Sequence, residues 1–441
     1  MERYLKTISP PNKTISSVCG EQIIRNEENY RNIMYCVSVH CEDGTLLYHT
    51  TTGELVLLTD LSLKECDREW LIKHWFLVPE KFDERMWVNQ LRTIVDMLKT
   101  KGLNKTSFTI LTTTDCNARC FYCYEIGIKR IPMASEMAER VADYVANSCG
   151  GKRVKLRWFG GEPLYNQQAI DIICDRLRSR EIQFESNMIS NGFYFDRKTS
   201  LHAYDSWRMR KVQITVDGTE KVYNRTKAYI DADESPYLRV MDNIQYALEA
   251  GIRVTVRMNM GEHNAKDLLL LADDLAERFH KYPGFHAYVA VINDFTGKMH
   301  IQDTMQTQRD NFAQIRDRLN KRGIYIKKDY LRGLRTARCM ADNDTSETIL
   351  PDGRVGRCEH YSDSMITGSI MDNVRDNEVE KKWKDPLSVP ECDQCVMYPV
   401  CWKLKMCEWN KDGCSELTRN IEIDEIKKQV LEVYGQHKAE E

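Results

Sequence analysis

The sequence lacks the long apolar runs of membrane-spanning and secreted proteins. A bilayer span needs about 20 apolar residues, whereas the longest leucine-rich run covers only 268–272. Residues 1–14 also lack the apolar core of a secretory signal. We therefore expect a cytoplasmic protein with no membrane partner.

The chain has little net charge. Its 441 residues include 63 Lys and Arg against 66 Asp and Glu, a formal charge of −3. Nucleic-acid binding normally requires a basic surface, so we expect no nucleic-acid partner. A chain of this length is long enough for about three domains.

Cysteine is abundant, with 16 residues. In a reducing compartment, clustered cysteines indicate metal ligands or redox chemistry more often than disulfides. Six are scattered and are interpreted as small apolar residues. The other ten form two groups: Cys116, Cys120 and Cys123, then Cys339, Cys358, Cys392, Cys395, Cys401, Cys407 and Cys414.

The first domain is predicted over 1–103. Turn pairs and alternating apolar residues predict strands at 33–41, 45–50 and 54–59, followed by helices at 62–75 and 82–99. This is the outline of a winged-helix-like module. Its first hundred residues carry 12 basic and 15 acidic side chains, which argues against binding to duplex DNA.

The second domain, 104–325, alternates strands and helices. Strands are predicted near 107–113, 153–159, 183–190, 211–216, 252–259 and 284–292. Helices are predicted near 135–148, 166–180, 196–206, 237–250, 264–280 and 304–321, the first capped by Ser135. Right-handed crossovers then give an α/β fold with a parallel sheet, either an incomplete barrel or a doubly wound sheet. In both, the chemistry collects at the carboxyl ends of the strands.

The third domain, 326–441, is rich in turns and cysteines and ends in a helix predicted at 416–435. So little apolar periodicity gives a poor core. We expect bound metal to stabilise this region.

Three cysteines lie within eight residues directly after the first strand of the second domain, as Cys116-x3-Cys120-x2-Cys123. A structural zinc site needs four ligands, whereas three thiolates on one loop suit a [4Fe–4S] cluster with one open iron. A zinc knuckle that borrows a distant fourth ligand and three reduced core thiols are the alternatives.

This cysteine spacing, with Tyr122 before the last cysteine, resembles the signature of radical S-adenosylmethionine (SAM) enzymes. The segment 160–163 resembles their GGEP motif, and the ends of the next two strands resemble their Asn-Gly and Ser/Thr-x-Asp-Gly segments. The resemblance implies a partial (β/α)6 TIM-like barrel and a 5′-deoxyadenosyl radical. It also implies SAM contacts, with Glu162 and the motif backbone at the amino group. The implied cofactor-binding residues are Tyr122, Gly160, Gly161, Glu162, Pro163, Ser190, Asn191, Thr215, Asp217 and Arg257.

Arg257 and Asn259 alternate toward one face of the fifth strand. They are expected to contact the SAM carboxylate or the substrate, or to fill the barrel interior. Asp217 has the alternative of a plain turn residue. No motif identifies a catalytic acid or base.

The C-terminal cysteines resemble the SPASM extension, which carries two auxiliary [4Fe–4S] clusters, giving three clusters in all. The resemblance assigns Cys392, Cys395, Cys401 and Cys414 to an outer cluster and Cys339, Cys358 and Cys407 to an inner one. The usual spacing would place a cysteine at Lys405. The inner cluster thus has an open iron or a further ligand. Paired zinc knuckles are the alternative.

Residues 46–58 resemble the second and third strands of the peptide recognition element of ribosomal-peptide maturases. There a precursor's leader segment adds a strand to the sheet. The combined resemblance implies a maturase that installs a thioether or carbon–carbon cross-link, served by a low-potential electron donor such as flavodoxin or ferredoxin. An anaerobic sulfatase-type formylglycine maturase and a non-catalytic iron–sulfur electron carrier are the competing functions.

Overall fold

The computed structural model describes residues 4–25, 29–60, 64–99, 104–230, 235–292, 303–326, 331–372 and 374–440. The predicted domain limit at 103 and the predicted helix start at 62 lie outside these residues. No helix among the described residues combines the length and apolarity that a bilayer crossing requires.

The N-terminal region is built on a four-stranded antiparallel sheet of order β1-β5-β4-β3. Its elements are β1 (Leu5–Ser9), α1 (Lys13–Cys19), β2 (Tyr30–Asn32), β3 (Cys36–Cys41), β4 (Gly44–His49), β5 (Leu55–Leu58), α2 (Glu65–Lys73), β6 (Leu77–Pro79) and α3 (Glu84–Lys99). The predicted hairpins and helices are present, whereas β1, α1, β2 and β6 were not predicted. The strand predicted from residue 33 begins at Cys36, because Ile33 belongs to a separate core with Tyr35 and Trp87.

The central region contains six parallel strands in sequential order, β7 to β12. The strands are β7 (Ser107–Thr113), β8 (Val154–Gly160), β9 (Phe184–Ser190), β10 (Met209–Thr215), β11 (Arg253–Met260) and β12 (Phe285–Val291). The helices are α4 (Ser135–Ser148), α5 (Gln167–Ser179), α6 (Arg197–Asp205), α7 (Glu220–Lys227), α8 (Pro236–Glu249), α9 (Ala265–Phe279) and α10 (Met305–Lys321). A doubly wound sheet would reverse its strand order partway, so the sequential order matches a partial barrel.

Amphipathic spacing accounts for the helices that cover this sheet. In α4, for example, Ala138, Val141, Ala142 and Val145 share one buried face. The predicted cap at Ser135 is wrong: the residue before the helix is Ala134, and Ser135 is already its first helical residue. Helix α7 was not predicted, because its sequence is mostly polar.

The C-terminal region continues the barrel sheet. It comprises β13 (Ser346–Ile349), β14 (Arg354–Gly356), β15 (Ile366–Ser369), α11 (Asn377–Lys382) and α12 (Glu416–Glu440). Strand β13 pairs in parallel with β7, and β14 and β15 follow antiparallel, giving nine strands in all. The cysteine-rich region is therefore attached directly to the strand that precedes the three-cysteine loop.

The N-terminal and C-terminal regions share their cores. Leu46, Tyr48 and Leu55 of the N-terminal sheet pack with Ile426 and Val430 of α12. Main-chain contacts join the same two regions, since the Leu334 N–H donates to the Thr51 carbonyl at 2.8 Å. The N-terminal sheet thus has its apolar face completed by residues from the far end of the chain.

One α3 side chain anchors this junction. Arg92, which is 6% exposed, donates to the carbonyls of Arg335 at 2.8 Å, Tyr398 at 3.3 Å and Pro399 at 3.2 Å. The last two residues lie between Cys395 and Cys401. Arg92 therefore holds the backbone that connects two of the C-terminal thiols.

Candidate functional site

The three-cysteine loop leaves the carboxyl end of β7. Cys116, Cys120 and Cys123 are partly buried there. Burial raises the pKa of Cys116 to about 12, and the nearby thiols of Cys120 and Cys123 contribute to the rise. The three thiols are therefore neighbours, and a metal that binds them has to displace their protons.

Two glycines at the end of β8 let the cysteine loop approach the sheet. A Cβ atom on Gly160, which has φ +125°, would overlap the carbonyl oxygen of Thr113. A Cβ atom on Gly161 would overlap the carbonyl oxygen of Asp115. The N–H of Gly161 donates to Thr113 at 3.0 Å. Both positions of the predicted motif therefore require glycine because the two backbones touch.

Glu162 is fully buried and fixes the next strand end. Its carboxylate accepts hydrogen bonds from the Asn191 N–H at 2.7 Å, the Ser190 hydroxyl at 2.8 Å and the Leu164 N–H at 3.1 Å. The last bond caps the short 3-10 turn that Pro163 begins. Burial raises the pKa of Glu162 to about 7, against these hydrogen bonds. The described partners of this carboxylate are thus protein groups, and its contact with SAM stays a prediction.

Asn191 joins this strand end to the cysteine loop. Its amide nitrogen donates to Asn117 Oδ1 at 2.7 Å and lies 3.8 Å from Cys116 Sγ. The amide nitrogen of Asn117 is buried and has no hydrogen-bond partner among the described residues. An unsatisfied buried donor beside three thiols fits an acceptor-rich group, such as an iron–sulfur cluster or a carboxylate. The residues present here therefore fit the predicted cofactors.

A buried ion pair lies behind the loop. Lys227, at the end of α7, is 3.0 Å from Asp217 Oδ2 and 3.0 Å from the Tyr122 hydroxyl, which itself donates to Asp217. Burial would lower the pKa of Lys227, but the charge of Asp217 and the neighbouring Tyr122 raise it well above its usual range. Lys227 was not predicted from the sequence, because it belongs to none of the motifs that resemble the family.

Lys227 also anchors the loop through its backbone. Its carbonyl accepts the Arg119 N–H at 2.8 Å and lies 4.0 Å from Cys120 Sγ. Burial raises the pKa of the Cys120 thiol, and the charge of Lys227 opposes that rise. Tyr122 and Asp217, both predicted as cofactor contacts, are thus brought together as partners of one lysine.

Arg257 lies on β11, where it pairs in register with Thr215 of β10. Its Nε donates to Asn259 Oδ1 at 2.8 Å, and its guanidinium lies 5.9 Å from the centre of the Trp409 ring. The Asn259 N–H donates to Asp217 at 3.3 Å. Hydrogen bonds therefore connect the residues at the ends of β8 to β11 with one another, directly or through the cysteine loop.

The C-terminal thiols form two groups. Burial raises the pKa of Cys358 well above its usual range, with Glu359, Cys339 and Cys407 adding to the rise. Burial likewise raises the pKa of Cys395, with Cys414 and Cys392 adding to it. Cys395 in turn adds to the raised pKa of Cys401, which burial dominates. These mutual effects show that some members of each predicted set lie near one another, and the assignment to an inner and an outer cluster stays a prediction.

The described thiols lie near one another without being arranged around a single metal ion. Among the described ranges, no group of three or more His, Cys, Asp or Glu side chains is arranged to hold a single metal ion. Tetrahedral zinc, with Zn–S bonds of about 2.3 Å, needs sulfur atoms roughly 4 Å apart.

A row of rings connects the cysteine loop with the inner thiols. Tyr124, next to Cys123, lies 4.1 Å from His360, and His360 lies 5.2 Å from Trp409, measured between ring centres. His360 follows Cys358 by two residues, and its N–H contacts that sulfur at 3.4 Å. The inner thiol group therefore lies beside the predicted site.

Part of the central region is similar to a known protein family. Residues 110–275 match the family model of the Radical SAM superfamily. The probable GTP 3',8-cyclase of Archaeoglobus fulgidus is 31% identical over 143 residues. That match covers 28% of this chain and 47% of the cyclase, so the chain spans about half the length of this relative.

Solved structures share the fold at low identity. Native anSMEcpe with bound AdoMet (S-adenosylmethionine) has a TM-score of 0.58 and 15% identity, covering 75% of this chain and 99% of that one. Streptococcus suis SuiB bound to precursor peptide SuiA has a TM-score of 0.52 and 13% identity, covering 88% of this chain and 95% of that one. Such identities show similarity of fold alone. The match to the Radical SAM superfamily covers the cysteine loop and the strand ends that follow it, which are the segments that carried the predicted resemblance.

Proposed function

We propose that this protein is a radical SAM maturase that cross-links residues of a ribosomally made precursor peptide. One observation carries the proposal: the three-cysteine loop packs against Gly160 and Gly161, next to the hydrogen bond between Glu162 and Asn191. These contacts lie within the segment that matches the Radical SAM superfamily, and they support a site for SAM beside a three-thiolate cluster. The two neighbours in fold, described with AdoMet and with a precursor peptide, support the substrate class.

In this proposal, Cys116, Cys120 and Cys123 hold a [4Fe–4S] cluster, and the backbone at Gly160 and Gly161 faces the SAM amino group. When bound, the cluster and SAM together supply a 5′-deoxyadenosyl radical that takes a hydrogen atom from an unactivated carbon. Asn117 donates its unpaired amide N–H to the bound group. The buried Lys227–Asp217 pair keeps the loop in place and excludes water from its rear.

The C-terminal thiols serve as ligands of two auxiliary clusters. Closing a thioether bond removes a hydrogen atom from the carbon, a proton from the thiol and one further electron. A cluster held by the inner thiols would supply the acceptor for that electron, and the rings of His360 and Trp409 lie between these thiols and the site. A low-potential donor such as flavodoxin or ferredoxin supplies the electron that starts the reaction.

The N-terminal region binds the leader segment. Strand β3 is an edge strand of the N-terminal sheet. The Tyr35 carbonyl accepts the Thr50 N–H, so antiparallel alternation turns the main-chain groups of Ser38 and His40 away from β4. Both residues are exposed, and an added peptide strand would pair with them.

The first test is anaerobic reconstitution followed by measurement of iron, sulfide and 5′-deoxyadenosine. Three [4Fe–4S] clusters predict about 12 iron atoms per chain. Cys116→Ala is expected to lose roughly a third of that iron and all SAM cleavage. Cys41→Ala, a partly buried cysteine outside both groups, is the matched control and should keep both. SAM cleavage by Cys116→Ala would refute the loop assignment.

The product of a precursor peptide separates the alternatives within the family. A cross-link introduces no aldehyde, whereas the aldehyde of a formylglycine product reacts with hydrazide reagents. A protein with iron but no SAM cleavage would support the electron-carrier alternative. About 4 iron atoms per chain with bound zinc would leave the C-terminal region without a redox role.

A further inference from the structure

A buried lysine lies among the thiols that are predicted to bind the outer cluster. Lys403 is 4% exposed. Its ammonium group donates to Cys414 Sγ at 3.0 Å, and its backbone N–H donates to Cys401 Sγ at 3.5 Å. Two different groups of one residue therefore contact two of the predicted outer ligands.

The surrounding chain fixes Lys403 in this position. Its carbonyl accepts the Leu387 N–H at 3.1 Å. The next residue, Leu404, is buried in a core with Cys358 and Trp383. The backbone at Lys403 is therefore held in place, and the ammonium group lies against a sulfur atom instead of in solvent.

A buried ammonium group requires a negative partner, because its removal from water is costly. A neutral thiol offers little compensation, whereas a thiolate that binds iron carries negative charge. A [4Fe–4S] cluster with four thiolate ligands is anionic, and its reduction potential depends on net charge and on hydrogen bonds to its sulfur atoms. Reduction adds one negative charge, so the ammonium group of Lys403 stabilises the reduced form more than the oxidised form.

The surroundings of the inner thiols differ in charge. There the carboxylate of Glu359 lies 3.8 Å from Cys358 Sγ. A carboxylate, Glu422, also lies near Cys401, but it accepts the Trp402 indole N–H at 2.7 Å, whereas the charge of Lys403 touches sulfur directly. The contact between a buried cation and a ligand sulfur thus belongs to the outer set, and the inner set provides an internal reference.

We propose that Lys403 tunes the outer auxiliary cluster, its buried ammonium group making that cluster easier to reduce. Lys403 is a positioning residue that acts through the cluster sulfur atoms. The inference rests on the proposed function, which supplies the auxiliary clusters. In the proposed cross-linking, the one electron that leaves the substrate is held more firmly at the outer cluster until an oxidised flavodoxin or ferredoxin accepts it.

The test is a redox titration of the reconstituted holoprotein, followed by electron paramagnetic resonance. The signal that Cys395→Ala lacks is assigned to the outer cluster, and the signal that Cys358→Ala lacks is assigned to the inner one. Lys403→Met has a similar length without the charge. It should lower the ratio of reduced to oxidised outer cluster about tenfold at a fixed potential, which is about 59 mV for one electron. The inner cluster should keep its ratio.

Two further variants separate charge from shape. Lys403→Arg keeps the positive charge and should retain most of the wild-type ratio. Lys405→Met removes an exposed lysine two residues along the chain. It is the matched control and should change the ratio by less than about twofold, because water and salt screen its charge.

The proposal fails on any of three results. An unchanged ratio in Lys403→Met would show that the ammonium group does not act on the cluster. An equal fall in Lys403→Arg would show that the charge is not the cause. Loss of the outer-cluster iron from Lys403→Met would make Lys403 a structural support of the segment that carries Cys414.

Iron per chain, measured on the same samples, separates these failures from failure of the proposed function. About 4 iron atoms in the wild-type protein would refute the auxiliary clusters, and this inference with them. About 12 iron atoms with an unchanged ratio in Lys403→Met would refute the role of Lys403 alone.

Discussion

Replacement of Lys227 by methionine should destabilise the protein far more than an ordinary surface substitution does. Lys227 and Asp217 are 3% and 0% exposed and lie 3.0 Å apart. At an effective dielectric constant of about 20, charges at that distance attract by roughly 5 kcal/mol. Removing one partner leaves the other charge buried, which costs about 3–5 kcal/mol. Methionine has a similar length, so the loss reflects the charge more than the volume.

Urea unfolding of the metal-free protein at pH 7 measures this loss. Asp217 and Tyr122 outweigh the effect of burial and raise the pKa of Lys227. The contribution of Lys227 to the free energy of unfolding is therefore fully present below about pH 10, and it is lost only as the pH rises through the pKa of the folded state. Lys221→Met, on the exposed side of the same helix, is the control and should change stability by about 0.5 kcal/mol or less. The double variant with Asp217→Asn should recover much of the loss, since it leaves no buried charge.

A loss below about 1 kcal/mol in Lys227→Met would refute the reasoning, because the pair would then be hydrated or unformed. A second readout concerns the loop itself. Without the positive charge near Cys120, the pKa of that thiol should rise further, so the variant should take up iron more slowly during reconstitution.

Three further predictions concern the loop and the junction between regions. Gly161→Ala should prevent SAM cleavage, because the added Cβ would overlap the Asp115 carbonyl. The control is Gly435→Ala, which should leave SAM cleavage unchanged because Gly435 has open space around it. Full cleavage by Gly161→Ala would contradict the close contact between the two backbones. Arg92→Met should lower the free energy of unfolding by about 2–4 kcal/mol, because three buried carbonyls lose their donor; a change within 0.5 kcal/mol in urea would count against the anchor. Iron uptake at the loop should be slower at pH 6.5 than at 8.5. Burial raises the pKa of Cys116 to about 12, and below the pKa the fraction of thiolate falls about tenfold for each pH unit. Iron uptake at the same rate at both pH values would contradict this explanation.

The sequence allowed prediction of the barrel strands to within about two residues, because each is a short apolar run that ends in a turn. The cysteine spacing and the Gly160-Gly161 pair also predicted where the site would form, and the family match supports that position. These features are local. Their physical requirements, thiols within one loop and glycines at a close backbone contact, are met by residues near each other in the chain.

Other features depend on contacts between distant residues. Lys227 belongs to a helix with a mostly polar sequence, and only the fold brings it to Asp217. The pairing of β13 with β7 joins Ser346 to Ser107, and no local pattern specifies it. The partners of Glu162 were also unpredicted, because its side chain turns toward the next strand end rather than away from it.

The shared core at the junction has a consequence for synthesis. Domains generally fold in order as they leave the ribosome, but Leu46 and Tyr48 obtain their apolar partners Ile426 and Val430 only when the last helix has been made. One apolar face of the nascent N-terminal sheet therefore stays exposed until α12 has been synthesised. We expect chaperones to bind that apolar face during synthesis, and we expect chains that terminate before α12 to aggregate.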